Sequence, residues 1–151
     1  MNKLVIFDLD GVLIDSRDIH YIALNDALRL IDDNLVITVD EHLSLYDGLN
    51  TTKKLEMLSE RKGLDRKYYN QIWEEKQKAT ILRLKNTPKS NFLGVVFRRL
   101  KFFDFKIAVA SNSIRETVKT TLMALGVMEY VDYYVSNEDV QRTCLLYTSP
   151  S

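Results

Sequence analysis

The sequence predicts an α/β fold, a parallel β-sheet core interrupted by an inserted block of helices. Three observations predict it. Short apolar runs at residues 3–7, 106–110 and 131–135 each stop at a polar loop. Segments of helical period separate the later runs, and strands alternating with helices favour parallel pairing through right-handed crossovers. Residues 16–88 read as helix throughout, which is too long for one crossover and points to a separate small domain inserted after the first strand.

Residues 3–7 (Lys-Leu-Val-Ile-Phe) are apolar on both faces, the pattern of a buried parallel-type strand. Residues 17–31 follow a helical period with Ile19, Ile22, Ala23, Ala27, Leu30 and Ile31 on one face, and Asp15 or Ser16 is placed to cap the start. A short helix is expected over 40–46, broken at Gly48. Asn50 or Thr51 caps the next, which ends at Gly63. Asp65 opens a long helix to about residue 85, on which Tyr68, Tyr69 and Trp73 are expected in the core of the helical block. The polar turn Asn86-Thr87-Pro88-Lys89-Ser90-Asn91 marks the return from the insertion. A helix over 92–102, a buried strand over 106–110, a helix over 114–125 stopped by Gly126, and a third strand over 131–135 complete the order.

Composition narrows the function. The 151 residues are 46% apolar, enough for one compact domain or a small domain carrying an insertion. Lys plus Arg number 21 and Asp plus Glu number 21, so the net charge is zero and nothing points to nucleic acid or an anionic membrane. No apolar run reaches the ~20 residues of a membrane span, and residues 4–7 are too short for a signal-peptide core. The single cysteine, Cys144, excludes an internal disulfide. A cytoplasmic protein is expected. The Lys53-Lys54 and Arg61-Lys62 pairs read as solvated helix faces.

The chemistry concentrates at two strand ends, where open α/β sheets bind ligands. In Asp8-Leu9-Asp10-Gly11 the two aspartates stand two apart and can present both carboxylates to one ligand. Close like charges raise a pKa or recruit a cation, and Mg²⁺ prefers such oxygen donors. The competing reading is a loop whose aspartates cap the next segment. Ser111-Asn112-Ser113, before a helix, supplies a hydroxyl and backbone N–H groups suited to an anion, or an ordinary helix cap. Together, a nucleophilic carboxylate, a divalent cation and an anion cradle are the parts of phosphoryl transfer through an aspartyl phosphate.

The run Phe7-Asp8-Leu9-Asp10-Gly11-Val12-Leu13-Ile14-Asp15-Ser16 closely resembles the first signature of the haloacid dehalogenase superfamily, in the branch of phosphoglycolate phosphatase and β-phosphoglucomutase. Ala110-Ser111-Asn112-Ser113 resembles the second signature, and Ser136-Asn137-Glu138-Asp139-Val140 the approach to the third. The resemblance implies a Rossmann-like core over residues 1–15 and 89–140 with a helical cap over 16–88. It implies Asp8 as nucleophile and Mg²⁺ ligand, and Asp10 as acid, then base, with its backbone carbonyl on the metal. Ser111 and Asn112 would hold the phosphoryl group. The cap of this family selects the substrate, which points to the loop with Gly48, Asn50, Thr51 and Lys53, and to His20, where the mutase-like members often carry histidine. A plain helix cap at Asn50 or Thr51 and an ordinary helix histidine are the competing readings. The implied activity is Mg²⁺-dependent hydrolysis of a small phosphorylated metabolite. The alternatives are a β-phosphoglucomutase-like phosphomutase and a non-catalytic truncated fragment.

The resemblance ends near Val140. The family's lysine would fall at Cys144, no lysine follows Lys119, and the acidic pair of a fourth strand is missing. Residues 141–151 resemble the translation of a sequencing-library adaptor and are expected to be non-native. We therefore expect the core to be incomplete, residues 4–7 to form an exposed apolar edge, and the 151-residue chain to bind Mg²⁺ weakly and turn over little or not at all.

Overall fold

Three parallel strands form the sheet of this computed structural model, which describes residues 3–140. The tail over 141–151 expected to be non-native, with Arg142 and Cys144, lies outside the described residues. The elements run β1 (Lys3–Asp8), α1 (Arg17–Arg29), α2 (Val39–Glu41) continuing into a π-helical turn (His42–Tyr46), α3 (Thr51–Lys62), α4 (Tyr69–Lys85), α5 (Asn91–Phe102), β2 (Phe105–Ala110), α6 (Arg115–Leu125) and β3 (Tyr133–Val135). The chain divides into two compact units, one of residues up to Ser16 and from Arg83 onward, the other Arg17–Leu82. The fold is the expected α/β class.

In the α/β unit the strand order is β1-β2-β3. Lys3 stands opposite Phe105 and Asp8 opposite Ala110, while Ala110 also stands opposite Val135. The three strands therefore finish level, and the loops that follow them start side by side. The core joins Ile107 and Val109 of β2, Phe97 of α5, and Val118, Leu122 and Leu125 of α6; Phe7 stacks on Phe97 with ring centroids 5.0 Å apart. These strand residues alternate along one face of the sheet, which the helices cover.

The reading of residues 3–7 as a buried strand is corrected. Leu4 and Ile6 are 56% and 63% exposed. Among the described residues β1 pairs on one side only, and Leu4 and Ile6 point away from the covered face. The expected apolar edge is present. The expected face of α1 is also corrected: Ile22 and Leu30 are exposed, and the buried positions are Ala23, Leu24, Asn25, Ala27 and Leu28. Asn25 sets this rotation, because its carboxamide accepts from the Ile37 N–H at 3.0 Å and donates to the Ile37 C=O at 2.9 Å. A buried polar group fixed this way anchors the helix more strongly than one more methyl contact would.

The helical unit has its own core of Leu24, Leu28, Leu35, Ile37, Tyr46, Leu55, Leu58, Leu64 and Ile72, against which Tyr68 and Tyr69 pack. Trp73, expected in this core, is instead 39% exposed. Asn50 caps α3 by accepting from the Lys53 N–H at 2.9 Å, and Gly63 closes it in the left-handed conformation. Asp65 caps a short turn over Arg66–Tyr68 that leads into α4.

Candidate active site

The level strand ends bring Asp8, Asp10 and Ser111 together, as the sequence implied. Asp8 closes β1 and is exposed. Leu9, which follows it, is buried and pins the loop: its N–H reaches the Ala110 C=O at 3.3 Å, and its own C=O accepts from Leu13 at 2.9 Å. Gly11 takes φ +81°, a region that other residues enter only with backbone strain. Its N–H then bonds the Ile14 C=O at 2.7 Å, folding the chain back after Asp10.

Three serine hydroxyls converge on the Asp10 carboxylate. Ser16 donates to one oxygen, while Ser111 at 3.2 Å and Ser113 at 3.4 Å donate to the other. Ser16 and Ser111 are buried, so these bonds form in a region of reduced dielectric where they count for more than in water. A hydroxyl both donates and accepts. Asp10 can therefore pass between carboxylate and carboxylic acid and keep partners in either state. Ser16 was expected at the start of α1 as a cap; its hydroxyl goes to Asp10. Ser113 also holds the loop from within, its N–H bonding the Ser111 hydroxyl at 3.0 Å. Asn112 is exposed at the turn of this loop. Desolvation at the strand end raises the pKa of Asp8 above its usual 3.8; the Leu9 backbone N–H opposes this, and the charge of Asp10 adds to it.

Asp8 and Asp10 are the carboxylates this edge offers to a hard cation. Among the described residues no group of three or more His, Cys, Asp or Glu side chains converges to hold a metal. The hydroxyls on Asp10 favour Asp8 as the side-chain ligand. The oxygen chemistry fits Mg²⁺, with part of a coordination shell present.

Within the helical unit, Gly48 is exposed in the left-handed conformation at the turn before α3. Asn50 serves as the cap. Lys53 is exposed and pairs with Glu56 at 3.3 Å. The residue beside it behaves differently from the solvated face expected of both lysines: Lys54 is only 6% exposed, and its ammonium makes no hydrogen bond or ion pair among the described residues. Burial lowers its pKa, with the charge of Asp47 pulling the other way. Lys76 is 7% exposed and donates to the Thr51 hydroxyl at 3.0 Å. Two buried ammonium groups on or beside the first turn of α3 face the positive end of its dipole, the less favourable end for a cation. The sequence did carry a signal for Lys54. Thr51, Lys54, Leu55 and Leu58 fall at i, i+3, i+4 and i+7, which puts this lysine on the apolar face. Lys76 had no comparable signal. His20, on α1, lies close enough to the buried His42 for its charge to be one of the causes that lower the pKa of His42.

Fold and site define an α/β protein with two aspartates and a serine loop gathered at one edge of a parallel sheet, and comparison with known proteins gives the family. The chain belongs to the haloacid dehalogenase-like hydrolases, matching that family over residues 5–143. It is 30% identical over 118 residues to β-phosphoglucomutase of Bacillus subtilis, covering 74% of this chain and 51% of that protein. It is 29% identical over 138 residues to "Probable phosphatase IndB" of Dickeya dadantii, covering 87% of this chain and 57% of that one. Among solved structures, CbbY from Rhodobacter sphaeroides in complex with phosphate superposes with a TM-score of 0.78 at 16% identity, over 94% of this chain and 66% of that one. The chain spans between half and two thirds of the length of these relatives. They place it in the phosphoglycolate phosphatase and β-phosphoglucomutase-like branch.

Proposed function

We propose that the protein, at the length of its relatives, is an Mg²⁺-dependent phosphatase acting on a small phosphorylated metabolite through an aspartyl phosphate. The observation that carries this reading is the carboxylate pair at the end of β1, with Asp8 open and Asp10 held by three hydroxyls. The Asp8 carboxylate attacks phosphorus, and the bond to the leaving oxygen breaks. Asp10 gives that oxygen a proton, then takes one from the water that hydrolyses the acyl phosphate. Mg²⁺, when bound at Asp8 and the Asp10 backbone carbonyl, supplies positive charge against the phosphoryl oxygens. Ser111 and the Asn112 N–H are the proposed phosphoryl donors.

The unit Arg17–Leu82 is proposed as the cap that selects the substrate. Gly48, Asn50, Thr51, Lys53 and His20 remain proposed substrate residues, and Lys54 joins them. Burial of its ammonium is costly, and an anionic substrate group would offset that cost. A cytoplasmic location is part of this proposal. Similarity to a β-phosphoglucomutase supports a second reading, in which the same aspartates return the phosphoryl group to the substrate.

Hydrolysis of p-nitrophenyl phosphate with and without Mg²⁺, beside Asp8→Asn, tests the proposal. We expect turnover that needs the metal and falls at least about 1,000-fold in Asp8→Asn, the scale of nucleophile loss. Turnover indifferent to Asp8 overturns the mechanism. Isomerised product from a sugar monophosphate supplied with its bisphosphate favours the mutase.

A further inference from the structure

The segment Ser136-Asn137-Glu138-Asp139, after β3, has no part in the chemistry above, yet it grips the loop that does. Helix α6 begins without a cap of its own, because its N-cap residue is Ile114, whose side chain accepts nothing. The missing acceptor comes from 23 residues further along the chain: Glu138 Oε2 accepts from the Arg115 N–H at 2.6 Å. The Arg115 guanidinium reaches back and bonds both Asp139 oxygens, at 2.7 and 2.8 Å, while lying 4.8 Å from the centre of the Tyr134 ring. Asp139 is itself fixed, accepting from the N–H and the hydroxyl of Ser136, each at 2.8 Å. Two backbone bonds complete the fastening, from Asn137 N–H to the Ser113 C=O and from Ser111 N–H to the Val135 C=O, each 3.0 Å.

We propose that Glu138, Asp139 and Arg115 form a clasp that positions the loop of Ser111, Asn112 and Ser113 for phosphate; this rests on the phosphatase reading of Ser111 and the Asn112 N–H. Glu138 and Asp139 are positioning residues and touch no reacting atom. Three residues separate the end of β2 from Ile114, so a shift of the first turn of α6 is transmitted directly to both hydroxyls. A surface pair of this kind contributes little to global stability. Its value lies in geometry: a bidentate guanidinium and a charge-assisted N–H bond fix orientation as well as distance. The carboxylate also satisfies the first turn of α6 from outside, where a negative group is favoured.

The test uses the isotopically labelled 151-residue protein, the variants Glu138→Ala and Glu138→Gln, and inorganic phosphate as probe. Amide exchange is followed at Arg115, Asn137 and Ser113, and phosphate is titrated against the amide shifts of residues 111–113. We expect exchange at these amides to rise at least about tenfold in Glu138→Ala, and phosphate to bind at least about fivefold more weakly. Glu138→Gln, which keeps an acceptor oxygen, should fall between. Exchange over α5 and the helical unit should not change, which separates a local clasp from general unfolding. Unchanged exchange at Ser113 and Asn137 in Glu138→Ala overturns the clasp. So does unchanged phosphate affinity in a variant whose parent binds phosphate. If the parent protein binds no phosphate, the phosphate reading of Ser111 and the Asn112 N–H falls, and the exchange measurement alone decides the clasp.

Discussion

In the α/β unit the polar groups near the strand ends answer one another; in the helical unit several are buried without a hydrogen bond among the described residues. Asp10 has three hydroxyls, Asp139 has Arg115 and Ser136, and Asp132 binds Lys101 at 2.7 Å and the Ile107 N–H at 2.8 Å. Against these stand, among the described residues, His42, buried with neither ring nitrogen hydrogen-bonded and its Nε2 4.0 Å from an Asp47 oxygen, Tyr46, buried with its hydroxyl unpaired, and Lys54, largely buried with no hydrogen bond to its ammonium. A buried unpaired polar group costs about 1–3 kcal/mol. The π-helical turn joins two of them, His42 and Tyr46 standing at its ends, and such turns often mark functional places. The contrast matches the proposed division of labour. In the proposed reading one unit holds its reacting carboxylates among fixed hydroxyls, and the other offers Lys54 and the polar atoms of His42 and Tyr46 to something it binds.

The largest expected effects test whether the two cores are separate. Phe97→Ala empties the space under Phe7 in the α/β unit, and Leu58→Ala does the same among Leu55, Leu64 and Ile72. Losses of about 3–5 and 2–5 kcal/mol are expected. Amide exchange should rise mainly in the unit that carries the substitution. Equal loss of protection in both units would show that one core governs the whole chain.

Acid should separate the units next. Lys101, the Ile107 N–H and Lys106 hold the Asp132 carboxyl at about 2, against its usual 3.8. The folded form binds this proton less readily than the unfolded one, so the stabilisation is present above 3.8 and is lost as pH falls toward 2. His42 works in a higher window. Burial lowers its pKa below 6.5, and the charge on Lys54 adds to this, against Asp47 and Asp18, with His20 also lowering it. The unfolded chain then takes the proton first, so the helical unit weakens as pH drops below 6.5. Unit-resolved exchange at pH 5 should show the helical unit loosening while the α/β unit holds. His42→Phe should remove that early loss, and its persistence in the variant would assign it to another group.

Much of this was legible in the sequence, and what was not has physical reasons. Element order could be read because periodicity and stop signals are local: Asn50 and Gly63 bound α3 as expected. The Asp8-Asp10 pair and Ser111 could be read because the spacing of two and the strand-end position are also local. Ser16 and Ser113 as partners of Asp10 could not, since the bond from Ser113 to Asp10 spans 103 residues of chain. Glu138 as the cap of α6 was hidden for the same reason. The exposure of Leu4 and Ile6 was hidden because an apolar run reports what a strand can bury and says nothing of whether a neighbour covers it.

The smallest expected effect is a gain. Lys54 is treated by its own fold as a group better left neutral, since its pKa is lowered and Asp47 only partly offsets the cost of burial. At neutral pH the folded protein therefore carries a charged amine at a loss relative to the unfolded chain. Lys54→Met keeps most of the side-chain length and removes the charge, and should raise the stability of the protein free of ligand by about 1 kcal/mol. The same substitution should weaken any anion held beside α3, so Lys54→Met should be more stable alone and respond less to added phosphate or sulfate in a thermal melt. A variant less stable than its parent without anions would show that the ammonium already has the partner it needs. The helical unit would then resemble the α/β unit in this respect, and the contrast between them would narrow to His42 and Tyr46.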